Sequence, residues 1–174
     1  MSRAFTLLQL LIVVVMLSLL MGASTFAFLT LLKAWGSQDT SLEIQEDARQ
    51  GVERMVRDLR LATNPIDAST PNDSIRYTVR EAGATNYYIF YLYNRNDSWP
   101  PAYNQSVYEL RRVSLPGGIN GTFNYGDGTL YIRSVKPPPV SDMSLSGTVV
   151  TIDLTVSKAD ETFHLLEKIR PRNL

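Results

Sequence analysis

Few residues in this 174-residue chain are of types that do chemistry. There is no cysteine, so disulfide staples and thiolate-bound metal are excluded. His164 is the single histidine. It stands in a strand-like stretch with no Ser/His/Asp or metal-ligand spacing around it, so it reads as a packing or surface residue. Asn124-Tyr125-Gly126-Asp127-Gly128-Thr129 has some character of a calcium loop. The full loop needs more oxygen ligands and a closing Glu. A Gly-Asp-Gly turn is the better reading, and calcium at Asn124 to Asp127 is the one cofactor to weigh. Tyr87, Tyr88, Phe90, Tyr91, Tyr93, Trp99, Tyr103 and Tyr108 crowd one region. Aromatics favour strands and cores. A subset near Trp99-Pro100-Pro101 is a candidate contact patch, since Trp and Tyr are enriched at interfaces. Asn72, Asn96, Asn104 and Asn120 each open a glycosylation sequon, a motif short enough to arise by chance in Asn- and Ser-rich loops. No constellation supports an enzyme.

These residues hang on an element of another kind. From Ala4 to Leu32 the chain is almost wholly apolar, and no Asp, Glu, Lys or Arg falls between Arg3 and Lys33. A membrane-spanning helix needs ~20 predominantly apolar residues, and the run exceeds that. It admits a cleaved secretory signal with a site at Met21-Gly22-Ala23, a plain membrane anchor, or the processed segment considered below. Arg3 before a single span keeps the N-terminus cytoplasmic, with Lys33 weakening the contrast. Formal net charge is zero, so nothing points to nucleic acid.

Beyond Trp35 the pattern becomes amphipathic. Ala48, Val52, Met55, Val56, Leu59 and Ala62 recur at helical steps, and Glu53 and Arg57 stand i,i+4. Asn64-Pro65 is read as the helix end, at about Thr63. Val52, Met55, Val56 and Leu59 then form a face that must pack on a head. Strands are predicted near Ile75 to Val79, Tyr87 to Tyr93, Val107 to Leu115, Leu130 to Val135, Val150 to Val156 and Thr162 to Ile169, the last two as a hairpin. Pro65 to Ser74, Arg95 to Ser106, Pro116 to Thr129 and Lys136 to Gly147 read as loops. The fold class is α+β: one long N-terminal helix, its first half in a membrane, packed on a mostly antiparallel sheet.

Ala4-Phe5-Thr6-Leu7-Leu8-Gln9-Leu10-Leu11-Ile12-Val13 resembles the N-terminal signal of type IV pilins and type II secretion pseudopilins. In that family a short basic leader is cut before a Phe, and Phe-Thr-Leu-(Ile/Leu)-Glu-Leu-Leu follows. Two positions depart: Ala4 replaces the usual Gly, and Gln9 replaces a nearly constant Glu. The stretch from Ala48 to Arg60 and the tail from Ile169 to Leu174 are similar to minor subunits of the PilW and GspJ type. The resemblance implies a pilin-like fold with a leader at 1–4, a transmembrane half-helix at 5–33, an amphipathic half at 34–63 and a β-rich extracytoplasmic head at 64–174. It implies cleavage between Ala4 and Phe5 by prepilin peptidase, N-methylation of Phe5, and assembly roles for Thr6 and Gln9. The expected partners are other pilin or pseudopilin subunits, the inner-membrane assembly machinery and lipid. The expected function is a structural minor subunit, without chemistry of its own. It would be held in a bacterial inner membrane with the head outside, then built into a filament in the periplasm or at the cell surface. Its place would be the tip or the priming complex. The alternative is an uncleaved, membrane-anchored extracytoplasmic binding module.

Overall fold

The structure, a computed structural model, describes residues 7–69, 73–158 and 161–172. Ala4, Phe5 and Thr6 lie outside the described residues. Helix α1 runs Leu7–Arg60 and is followed by β1 (Ala62–Ser69), β2 (Ser74–Glu81), β3 (Ala84–Tyr93), β4 (Tyr108–Ser114), β5 (Thr129–Val135), β6 (Asp142–Ser146), β7 (Val149–Lys158) and β8 (Glu161–Ile169). The chain divides into two compact units between Thr40 and Ser41, and α1 contributes to both.

In the first unit the helix is apolar on all sides from Gln9 to Leu32, and its side chains from Gln9 to Trp35 are exposed. In the second, all strand pairs are antiparallel, and the sheet runs β1-β2-β3-β4-β5-β7-β6, with β8 on the other edge of β7. The sheet curls over α1. Ile44, Ala48, Val52, Met55 and Leu59, at steps of three and four residues, are buried on it. Val56 is half-buried against the same cluster. Facing them are Ile75 and Tyr77 of β2, Phe90 and Leu92 of β3, Leu110 of β4, Ile132 of β5, and Ile152 and Leu154 of β7. Burying each large aliphatic side chain contributes roughly 1.5–3 kcal/mol. The stripe begins at Ile44, one turn before the Ala48 read from sequence.

Three sequence expectations are corrected. The helix ends at Arg60, not at Thr63: Leu61 N–H turns back to the Asp58 carbonyl at 3.1 Å, and Arg172 N–H reaches the Arg60 carbonyl at 3.4 Å. Arg57 and Arg60 in the last turn suit the negative end of the helix dipole. The stretch read as a loop from Pro65 is strand β1. Its register with β2 slips between Thr63 and Ile66, so Asn64 and Pro65 occupy a bulge. There a residue without an N–H breaks no ladder bond. Thr78 Oγ donates to the Pro65 carbonyl at 3.2 Å and holds the bulge. The loop read at 136–147 contains β6, which pairs with β7 from Asp142↔Asp153 to Ser146↔Val149. The two-residue turn at Gly147, whose φ is +60°, is a hairpin signal the sequence carried.

Gly51 is where helix and sheet come closest. A Cβ there would lie 2.2 Å from Ile132 Cγ1 and 2.6 Å from the Tyr131 carbonyl oxygen. Backbone cannot yield as a flexible side chain does, so Gly51→Ala should destabilise the protein by about 1–3 kcal/mol. At Gly36 nothing lies within 4 Å, so Gly36→Ala should be neutral or stabilise by up to about 1 kcal/mol. Thermal unfolding of the two full-length variants in one detergent checks this. Equal melting temperatures would show that the helix does not sit tightly on β5.

Candidate functional site

Helix α1 is long and apolar enough to cross a membrane, and its most apolar window is wholly exposed. Lipid offers no hydrogen bonds, so polar groups there must be satisfied within the segment. The four hydroxyls between Leu7 and Lys33 meet that condition. Ser18 Oγ donates to the Val15 carbonyl at 2.8 Å and Ser24 to Leu20 at 2.8 Å. Thr25 donates to Met21 and Thr30 to Phe26, each at 2.9 Å. Gln9 is the carboxamide of this run and is exposed on the helix. Trp35 is exposed just beyond Lys33.

In the second unit Val52, Met55, Val56 and Leu59 meet the sheet beside a polar network that sequence reasoning missed. Tyr131 OH on β5 donates to Asp58 Oδ2 on α1 at 2.5 Å. Arg112 Nε on β4 lies 3.5 Å from the same oxygen and donates to Tyr77 OH on β2 at 2.7 Å. The guanidinium sits 3.9 Å from the centroid of the Tyr88 ring. Burial works against the Arg112 charge, but Tyr77, Asp58 and Tyr131 outweigh it and hold the guanidinium more firmly protonated. Burial, then the hydrogen bond to Asp58, pushes the Tyr131 hydroxyl up to about 12. The signal was the Arg111-Arg112 pair that breaks the apolar alternation of β4. Arg111 serves the opposite face, where it pairs with Glu109 at 2.7 Å, donates to the Gly126 carbonyl and covers the Tyr93 ring.

The aromatic region divides between the two faces of β3. Phe90 and Leu92 enter the main core, whereas Ile89 and Tyr91 form a second cluster with Leu115. Trp99, Phe123 and Tyr125 pack on Tyr91 with ring centroids 5.9, 4.7 and 5.7 Å away. The Trp99 loop is thus packed on the sheet's outer face and is half-buried. Asp97 fixes it: its carboxylate accepts from Ser98, Ala102 and Tyr103 N–H and from Tyr108 OH. Slight burial raises the acid's pKa, but these four bonds outweigh it and hold the carboxyl below its ordinary value. The turn at Asn124 to Asp127 is closed by its own bonds and by Tyr91 OH, which donates to the Asp127 carbonyl at 2.6 Å. His164 is exposed on β8, with Nε2 2.6 Å from Asp153 Oδ1. Among the described residues no three His, Cys, Asp or Glu side chains are grouped to hold a metal ion.

One buried acid stands apart. Asp73, in the turn just before β2 with φ +37°, is 7% exposed. Burial, then a hydrogen bond to Asp142 and that residue's charge, raises its carboxyl from 3.8 to about 7, against the Met143 N–H and Tyr103. It ties β2 to the start of β6 across the curl of the sheet.

Two predictions follow from these contacts. Arg112→Met leaves Asp58 half-buried beside one hydroxyl and should cost about 1.5–3 kcal/mol in denaturant unfolding. Arg112→Met with Asp58→Asn should cost less than the sum of the two single changes. Full additivity would mean that the two groups do not act together. For Asp73 the folded pKa lies above the unfolded one, so its contribution is fully present below pH 3.8 and is lost as pH rises through about 7. Asp73→Asn, whose side chain tolerates positive φ, should flatten the fall in melting temperature across that window. An unchanged slope would remove Asp73 as its source.

No protein-family model, curated protein or solved structure matches this chain.

Proposed function

We propose that this chain is a structural minor subunit of a type IV pilus-like filament, a pilin or a type II secretion pseudopilin. The observation that carries the reading is helix α1. One continuous helix, Leu7–Arg60, is apolar all round in its first part and amphipathic in its second, where it enters the core of an antiparallel sheet. The signal-like run from Ala4 to Val13 adds the processing step. Prepilin peptidase cuts between Ala4 and Phe5 and the new amine of Phe5 is methylated. Loss of Arg3 leaves a segment whose one charge is the new amine, able to pack against other helices once the assembly machinery draws it from the bacterial inner membrane. The head stays outside the cytoplasm and chooses neighbours.

Gln9 supports a position at the tip or in the priming complex. In the resembled family a glutamate at this position pairs with a neighbour's N-terminal amine. A carboxamide accepts a hydrogen bond there without the charge-assisted strength. A subunit with no earlier neighbour does without that pairing.

Mass spectrometry of the chain purified from its own membrane tests both steps. The mature protein should begin at N-methyl-Phe5, with few copies per filament. A chain that retains Met1 to Ala4 would leave the uncleaved, membrane-anchored binding module in its place. Gln9 repeated along a whole shaft would remove the tip assignment alone.

A further inference from the structure

Three strands border the sheet, and two of them are guarded. β1 carries the bulge at Asn64-Pro65 and meets β6 across the curl. β6 has five residues and comes soon after Pro137-Pro138-Pro139. β8 is different. It pairs with β7 at nine consecutive positions, from Lys158↔Glu161 to Val150↔Ile169, without a bulge or a proline. Among the described residues no strand pairs with its other edge. Its formally charged side chains stand at its ends, Glu161 at one and Glu167 and Lys168 at the other. A long, regular edge of this kind leaves backbone N–H and C=O groups open to a further strand, which natural sheets ordinarily prevent.

The free edge borders an open seam on α1. One groove, of about 580 Å³, lies between Phe163 and the stretch of helix from Leu42 to Glu53. A second, of about 490 Å³, continues along the helix to Leu61 and reaches Glu167 and Arg172. The two follow about 28 Å of helix at ~1.5 Å per residue, and β8 is about 30 Å long at ~3.3 Å per residue. One extended segment therefore matches the whole seam. Val52, Val56 and Phe163 give the lining an apolar character. Its far end is basic. Arg57, Arg60 and Arg172 stand there with Glu167, and among the described residues none of these guanidinium groups has an ion-pair partner. Glu53, where the grooves meet, is already bonded to Arg49 at 3.1 Å.

We infer that β8 accepts a ninth strand from a different protein: an extended segment with apolar residues at alternate positions and acids at the end beside Arg57, Arg60 and Arg172. Main-chain bonds to β8 hold it, and the alternation decides which side chains face α1. Every strand pair of the sheet is antiparallel. The segment runs against β8 in the same way, so its acids lie at its N-terminal end. A β8–β8 pair between two copies would bring one acid, Glu161, to the three arginines and leave their surplus charge in place. The edge takes one neighbour and does not propagate, which suits a subunit present in few copies. The inference goes beyond the filament reading and does not need it, because an anchored module would use the edge alike.

The probe is a nine-residue peptide that opens Asp-Glu and then alternates Val with Thr, added to the full-length protein in detergent. It should slow hydrogen exchange at the β8 amides at least ten-fold. It should also bind at least ten-fold more tightly than the same peptide opening Lys-Lys, since like charges repel across a contact. On protein carrying Arg57→Glu and Arg60→Glu the preference should reverse, which a misfolded variant would not show. N-methylation of every second peptide residue should lower binding ten-fold or more in one phase of the alternation and leave it unchanged in the other, because only alternate N–H groups face β8. Equal loss in both phases, no preference for the acidic peptide, or no protection of β8 overturns the inference. Protection of β8 in a dimer of the protein alone overturns it too and assigns the edge to a second copy.

Discussion

A helix face with Ile44, Ala48, Val52, Met55 and Leu59 at steps of three and four has to be covered, and the curled sheet exists around that need. All eight strands send side chains to the cluster around that stripe, β2, β3, β4, β5 and β7 more than one buried residue each. The register of those strands is pinned by it, because a slip of one residue would turn each strand's apolar set away from the helix. Gly51 shows how close the approach is, with β5 backbone where a side chain would stand. The cover is asymmetric: β8 supplies Phe163 and Leu165 only half-buried, and a groove lined by Val56, Arg57 and Glu167 stays open between α1 and β8.

Apolar burial alone would let the helix turn or slide on such a surface. The bond from Tyr131 to Asp58, with Arg112 between Asp58 and Tyr77, gives the seam a direction. A charge so placed is costly unless its partners stay in place, so the network selects one rotation of α1 over its neighbours. Removing it would loosen the match between helix and sheet before it unfolded either. On the other face Asp97 does the same for the aromatic loop, with backbone N–H groups as its partners.

Long alternations were legible from sequence because their side chains face one environment throughout. Val150, Ile152, Leu154 and Val156 are buried at every second residue, and β3 reads as central because both its faces are covered. Strand β1 was hidden by Pro65, a breaker in most settings and harmless in a bulge. Strand β6 was hidden by brevity, five residues of which Met143 alone is fully buried. The Asp58–Arg112 pair joins a helix to a strand far along the chain, and no spacing rule links such positions; only the broken pattern at Arg111-Arg112 hinted at it. Asp73 gave no sign, since its character comes from burial first and then from Asp142 across the curl. The apolar run, by contrast, was plain in composition.

On the filament reading, the substitution at Gln9 shifts weight onto the head. A carboxylate deep in lipid costs about 2.5–3.5 kcal/mol. The ion pair it makes with a neighbour's amine both recovers that cost and sets the register between two subunits. With a carboxamide the subunit is comfortable alone in the bilayer, and neither term operates. The hydroxyls of the span are turned inward on their own helix, so they offer little to a neighbour. What remains in the span is close packing of apolar side chains, which discriminates weakly among positions along a helix. Register must then come from charges outside the membrane. The second unit carries charge of both signs along α1, with Glu43, Glu46 and Asp47 early and Arg57 and Arg60 in its last turn.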